Sequence, residues 1–194
     1  MMPDLIVIFG PPASGKAAIG TALAELTGYR LFHNHMTAEP AAALFGWDTP
    51  LYSEAVAEMR LSLFSKALDQ PNASPIIFTF VWAFDLAADN AFMAQLVALF
   101  ESRGQRIFFV ELLASVQTRL AREGTPLRLR LKPSKQDVSR ARALHAQVDQ
   151  QYRMNSNNDF PYPARHMLID TESQSPAQSA RILALHFGFA QTSV

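Results

Sequence analysis

The sequence predicts an α/β fold in which about five parallel strands lie sandwiched between helices. Two observations carry this expectation. Apolar runs of strand length alternate with longer segments of helical spacing, the pattern of βαβ units. The first such run, Leu5–Phe9, opens into Gly10-Pro11-Pro12-Ala13-Ser14-Gly15-Lys16 and then a helix-forming stretch. That is the spacing G-x-x-x-x-G-K, a loop whose backbone N–H groups can wrap a phosphate. The helix N-terminus adds positive potential there, and the lysine reaches the outer phosphate oxygens.

Taken in order, Leu5–Phe9 is the first strand because its five residues are apolar and mostly β-branched or aromatic. Lys16–Leu26 is the first helix, stopped by Thr27-Gly28. Tyr29–Phe32 is a short second strand that runs into His33-Asn34-His35. Glu39–Phe45 reads as a short helix ended by Gly46. Ser53–Asp69 is a longer one, with Tyr52, Val56, Met59, Leu63 and Ala67 at helical spacing around it. Pro75–Trp82 is the most continuously apolar segment and is expected to be a central strand buried on both faces. Leu86–Ser102 is a helix closed by Gly104, Arg106–Leu113 a fourth strand, and Ser115–Arg122 the start of another helix. Gly124–Gln136 is polar, basic and broken by two prolines, which predicts a mobile loop. Asp137–Arg153 is helical, Asn155–Ala164 an irregular connection, His166–Asp170 a fifth strand and Pro176–Phe187 the closing helix.

At 194 residues the chain fits one domain, 1–194, large enough to bury a full core. It contains no cysteine, so a disulfide framework, a thiolate zinc site and a cysteine nucleophile are excluded together. No apolar stretch approaches the roughly 20 residues of a membrane span, and the start lacks a basic leader region. A soluble, cytoplasmic protein without a membrane partner is expected. Seventeen basic and seventeen acidic residues give a formal net charge of zero, which argues against a dedicated nucleic-acid binder. Basic residues nevertheless gather at Arg119, Arg122, Arg128, Arg130, Lys132, Lys135, Arg140 and Arg142. Such a run is either a solvated face or a basic lid, here about 124–136, over nucleotide phosphates.

These features resemble the P-loop kinases of the nucleoside monophosphate kinase and shikimate kinase type. GPPASGK near the start, the five-strand plan, the basic loop near residue 124 and the final strand–loop–helix carry the likeness. More narrowly, ELTGYRLFHNHMT, IIFTFVWAFD and KPSKQD are similar to a family of small bacterial P-loop proteins described as ATPases or kinase-like. The resemblance implies a single P-loop NTPase domain with its first and third strands side by side at the sheet centre. It also implies ATP and Mg²⁺ as cofactors, and transfer of the γ-phosphate to a hydroxyl or phosphate of a small-molecule acceptor. The nucleoside triphosphate would lie on Gly10, Pro11, Ala13, Ser14, Gly15, Lys16, Ala17 and Ala18, with Arg119. Lys16, Arg119, Arg122 and Arg128 would meet the charge that builds on the transferring group.

Two positions depart from that template. The residue after the lysine is normally Ser or Thr, whose hydroxyl holds Mg²⁺; here it is Ala17. Where shikimate kinase-like enzymes carry an acidic pair after the second strand, this chain has His33-Asn34-His35. An imidazole can accept a hydroxyl proton at neutral pH, so His33 and His35 are candidate acceptor-side groups. As an i, i+2 pair on an extended segment they could also form half a transition-metal site, or simply pack. Asp85, beyond the third strand, is the candidate metal-side or base carboxylate. Glu111, within a buried strand pattern, sits either at an exposed rim or facing the site. Trp82 and Phe84 wall an acceptor pocket or belong to the core, and Asp170-Thr171 lies near adenine or caps the last helix. His145, His166 and His186 read as structural. Two rivals to the kinase stay open: a nucleotide-binding regulatory protein with little catalysis, and a kinase of RNA ends.

Overall fold

The computed structural model describes residues 4–123, 143 and 147–189. Leu5–Phe9 (β1) is the middle strand of a five-stranded parallel sheet. Ile76–Phe80 (β3) pairs with it on one side, and Arg30–His33 (β2) lies outside β3. Ile107–Leu113 (β4) pairs on the other side, and His166–Asp170 (β5) forms the far edge. The first and third strands are therefore adjacent at the centre, and every residue of both is buried.

Strand alternation sorts the core into two layers. Leu5, Val7, Phe9, Phe78, Phe80 and Phe109 face Pro50–Asp69 (α3) and Ala87–Glu101 (α4), in a layer dense in aromatic rings. Ile6, Ile8, Ile77, Val110 and Leu112 face Lys16–Thr27 (α1) and the closing helix Pro176–Phe187. His35–Phe45 (α2) and Val116–Arg122 (α5) complete the helices before residue 124. The closing helix, α6, is entered through a reciprocal Ser175/Gln178 capping box with Pro176 at its first position.

Most predicted boundaries fall within a residue or two of the observed ones, with three informative exceptions. β2 is shifted by one residue, so His33 ends the strand opposite Thr79. α2 begins at His35, four residues before the expected start, with Pro40 inside it. Lying inside the helix, Pro40 lacks the N–H for one internal bond. α3 begins at Pro50, where the Thr49 hydroxyl accepts the N–H of Tyr52. Of the helix expected at Asp137–Arg153, residues 143 and 147–151 are helical. The expected lid at 124–136, Arg128 within it, lies outside the described residues.

Candidate active site

The phosphate loop leaves β1 at Gly10 (φ 137°), passes Ala13 (φ 61°) and enters α1 at Gly15 (φ 103°). These left-handed angles turn successive N–H groups inward. A Cβ at Gly10 would lie 2.6 Å from the carbonyl oxygen of Leu112, so no side chain fits where the loop crosses β4. Gly15 caps α1 without a side-chain hydrogen bond, and the first turn holds no acid. A helix start without such a cap or acid suits an anion. Lys16 is 6% exposed, and its Nζ donates to the carbonyls of Gly10 (2.8 Å) and Pro11 (2.7 Å), folded over the loop it serves. Ser14 is buried, while Ala17 and Ala18 occupy the first turn with methyl groups only.

On the β4 side, Arg119 is 4% exposed and braces the loop. It donates to the carbonyls of Pro12 and Ala114 and makes a two-pronged ion pair with Asp149. Its contact to the loop is thus through a carbonyl. Arg122 lies beside the start of α1 and donates to the Thr171 hydroxyl (2.9 Å) and carbonyl (2.6 Å). The Thr171 hydroxyl in turn donates toward the carbonyls of Ser14 and Leu113. Lys16, Arg119, Arg122 and Thr171 are brought together around one loop.

The β2–β3 side holds the remaining candidates. His35 is the first residue of α2, so the two histidines do not share one face of an extended strand, and the i, i+2 metal-pair reading loses its basis. Among the described residues, no three His, Cys, Asp or Glu side chains converge as a metal site. His35 Nδ1 lies 2.9 Å from Glu39 Oε1. Between the histidines, Asn34 takes its N–H to the Thr79 hydroxyl and its Oδ1 to Arg60. Sequence reading missed Arg60. It is 6% exposed, donates also to the Thr37 hydroxyl, and lies over the rings of Phe78, Phe80 and Phe92. Burial draws its pKa down to about 10, which still leaves it charged at neutral pH. Asp85 is exposed and accepts the N–H of Arg153. Asp89, also missed, accepts the N–H of Ala83 at 2.8 Å. Burial raises its pKa, against the Ala83 N–H and the Arg60 charge, to about 6.

Trp82 and Phe84 are core residues, stacked with ring centroids 4.7 Å apart. They also line a cavity of about 340 Å³ with Asn90, Arg153, Asp159, Pro161 and Tyr162. Glu111 is fully buried, so the exposed-rim expectation is corrected. Burial alone would raise its pKa, but His166, Ser156 and Asn155 hold the carboxylate at about 2. Its oxygens take Asn155 Nδ2 and the N–H and hydroxyl of Ser156, with His166 Nε2 at 3.0 Å. No motif marks this knot; the signal was a carboxylate inside an apolar run.

The APS kinase of Mycobacterium tuberculosis, solved with AMPPNP and APS, matches 96% of this chain and 98% of its own length, with a TM-score of 0.64 and 14% identity. The tunicamycin resistance protein of Deinococcus radiodurans covers 99% of both chains at a TM-score of 0.58 and 18% identity. This is the P-loop kinase fold. The shikimate kinase of Acinetobacter baumannii, solved with shikimate, matches 97% of this chain and 94% of its own at a TM-score of 0.54 and 17% identity. At such identities the likeness is one of fold. No protein-family model matches the chain, and no curated protein matches it in sequence. Among the described residues, no helix is long and apolar enough to cross a membrane.

Proposed function

We propose that this protein is an ATP-dependent phosphotransferase that moves the γ-phosphate of ATP to a hydroxyl or phosphate oxygen of a small metabolite. The preformed anion cradle at Gly10–Lys16, set in a fold shared with small-molecule kinases, carries the reading. Phosphate oxygens replace the Gly10 and Pro11 carbonyls as partners of Lys16, and the N–H groups at the start of α1 take the β-phosphate. Arg122, and Arg128 from the basic segment, neutralise charge on the transferring group, while Arg119 acts on the nucleotide by holding the loop. His33, His35 and the segment 81–85 line the acceptor side.

Mg²⁺ suits this site as a nucleotide-bound ion. It takes oxygen ligands and keeps several waters; the described residues form no cage of three His, Cys, Asp or Glu for it, and Ala17 presents a methyl group. Asp85 is the exposed carboxylate that would meet its water shell. When bound, the ion withdraws charge from the β- and γ-phosphate oxygens.

The second reading, a nucleotide-binding regulator, draws on Ala17 and on the imidazole–amide–imidazole run where an acidic pair is usual. A thermal-shift panel of ATP and GTP with and without Mg²⁺, followed by an ATP-consumption screen over hydroxylated metabolites, separates the two. Lys16→Ala should abolish ATP-induced stabilisation while leaving the unliganded fold intact. Undiminished stabilisation in that variant would refute the cradle. ATP binding that is indifferent to EDTA, with no acceptor consumed, would favour the regulator.

A further inference from the structure

Asp89 lies in the first turn of α4, one turn beyond Asp85. One carboxylate oxygen is fixed by the N–H of Ala83; the other makes no hydrogen bond among the described residues. Ala83 stands between Trp82 and Phe84, whose rings lie 5.4 and 5.9 Å from that of Phe9, the residue that leads into the phosphate loop. Because β3 pairs directly with β1, this segment leaves the sheet's C-terminal edge beside Gly10. Asp85 is exposed and accepts the N–H of Arg153. Of the imidazole candidates, His35 already has its Nδ1 against Glu39.

We infer that Asp89 is the group that takes the acceptor's proton during phosphoryl transfer. The inference rests on the phosphotransferase reading above. As the acceptor oxygen bonds to the γ-phosphorus, the bond from phosphorus to the β,γ-bridging oxygen breaks and its electron pair leaves with ADP. The acceptor's O–H proton passes to the second oxygen of Asp89 and from there to solvent. The groups that act on Asp89 come from α3 and from the β3–α4 connection. Arg60 on α3 and the Ala83 N–H favour the carboxylate, whereas burial and Asp85 favour the acid. The balance leaves it ionised at neutral pH yet basic enough to accept a proton. Asn34 and Thr37 hold Arg60 through neutral oxygens, so the arginine keeps its charge for this field and makes no ion pair among the described residues.

Water can stand in for the unidentified acceptor, so basal hydrolysis of Mg·ATP by the full chain is the assay. Wild-type hydrolysis should rise with pH through about 6 and then level off. Asp89→Asn keeps an oxygen for the Ala83 N–H but cannot take a proton. It should lower the plateau about 100-fold and remove the acid limb, with ATP-induced thermal stabilisation unchanged. Asp85→Asn removes the like charge and should move the limb to lower pH. That shift keeps the test intact if the Asp89 variant fails to fold. An acid limb and plateau that survive Asp89→Asn, with ATP still bound, would overturn the assignment and give the proton to an imidazole. Failure of the wild-type protein to be stabilised by ATP would instead remove the phosphotransferase reading beneath it.

Discussion

Glutamine at position 111 would keep the shape of a fully buried side chain and discard its charge. The native carboxylate gathers Asn155 Nδ2 at 2.8 Å, the Ser156 N–H at 2.8 Å, the Ser156 hydroxyl at 2.6 Å and His166 Nε2 at 3.0 Å. Glutamine offers one acceptor oxygen and turns a second N–H donor into the same knot, leaving donors unmatched. The fall in pKa from 4.5 to about 2 gives the scale. At 1.36 kcal/mol per pH unit it corresponds to about 3 kcal/mol of preference for the ionised, folded form. Because the folded pKa is the lower one, this stability is present above the unfolded value of 4.5. It is lost as pH falls from there toward 2. Urea unfolding of both proteins at several pH values measures it. Glu111→Gln should be less stable by about 3 kcal/mol at pH 7, and the gap should narrow steadily below pH 4.5. A gap that does not change with pH, or one under about 1 kcal/mol at neutrality, would refute the reasoning.

Gly10→Ala should be costly on two counts. Its φ of 137° is foreign to a side chain, and the new Cβ would overlap the Leu112 carbonyl. Strain of roughly 1–3 kcal/mol should appear as a lower melting temperature, and a distorted loop as weaker ATP-induced stabilisation, both read in one thermal scan. Arg119→Ala removes the tie between the Pro12 carbonyl and Asp149. It should cost about 2 kcal/mol in chemical denaturation and weaken ATP binding measured by calorimetry, although Arg119 itself reaches the loop through a carbonyl.

The sheet was legible because its strands are marked by composition: runs such as Ile76–Phe80 are apolar on both faces and have no other place to go. The turn that follows β1 was legible because its backbone needs glycine at fixed positions, and Gly10 and Gly15 both adopt angles that disfavour other residues. The β2–β3 side was not. Arg60 sits in α3 among Val56, Met59 and Leu63, and nothing in a helical period tells a solvated arginine from one laid across three phenylalanine rings. Asp89 resembles an ordinary first-turn acid, favourable at any helix start. Its character comes from burial, opposed by the Ala83 N–H and the Arg60 charge, an environment that exists only after β3, α3 and α4 have packed. The β2–α2 corner was misjudged for a local reason: Pro40 signals a helix start, yet here α2 continues back through it to His35.

The arginines sort themselves by what holds them. Arg103, Arg106 and Arg165 pair with Asp69, Asp4 and Glu101 at the surface, and Arg119 is neutralised by Asp149. Arg122 and Arg60 are held by neutral oxygens instead, from Thr171 on one side and from Asn34 and Thr37 on the other. A guanidinium taken out of water without a carboxylate costs more than a paired one, so its retention at two places near one loop calls for a balancing charge. The fold supplies part of that balance at Asp89, whose carboxylate lies in the field of Arg60. At half-buried Arg122, beside the uncapped start of α1, no ion pair with a described residue is made, and the exposed Glu172, whose carboxylate Arg122 helps to stabilise, supplies only part of the balance. A bound polyphosphate would bring the missing negative charge to the end of the sheet where Lys16 and the helix N–H groups are already aimed.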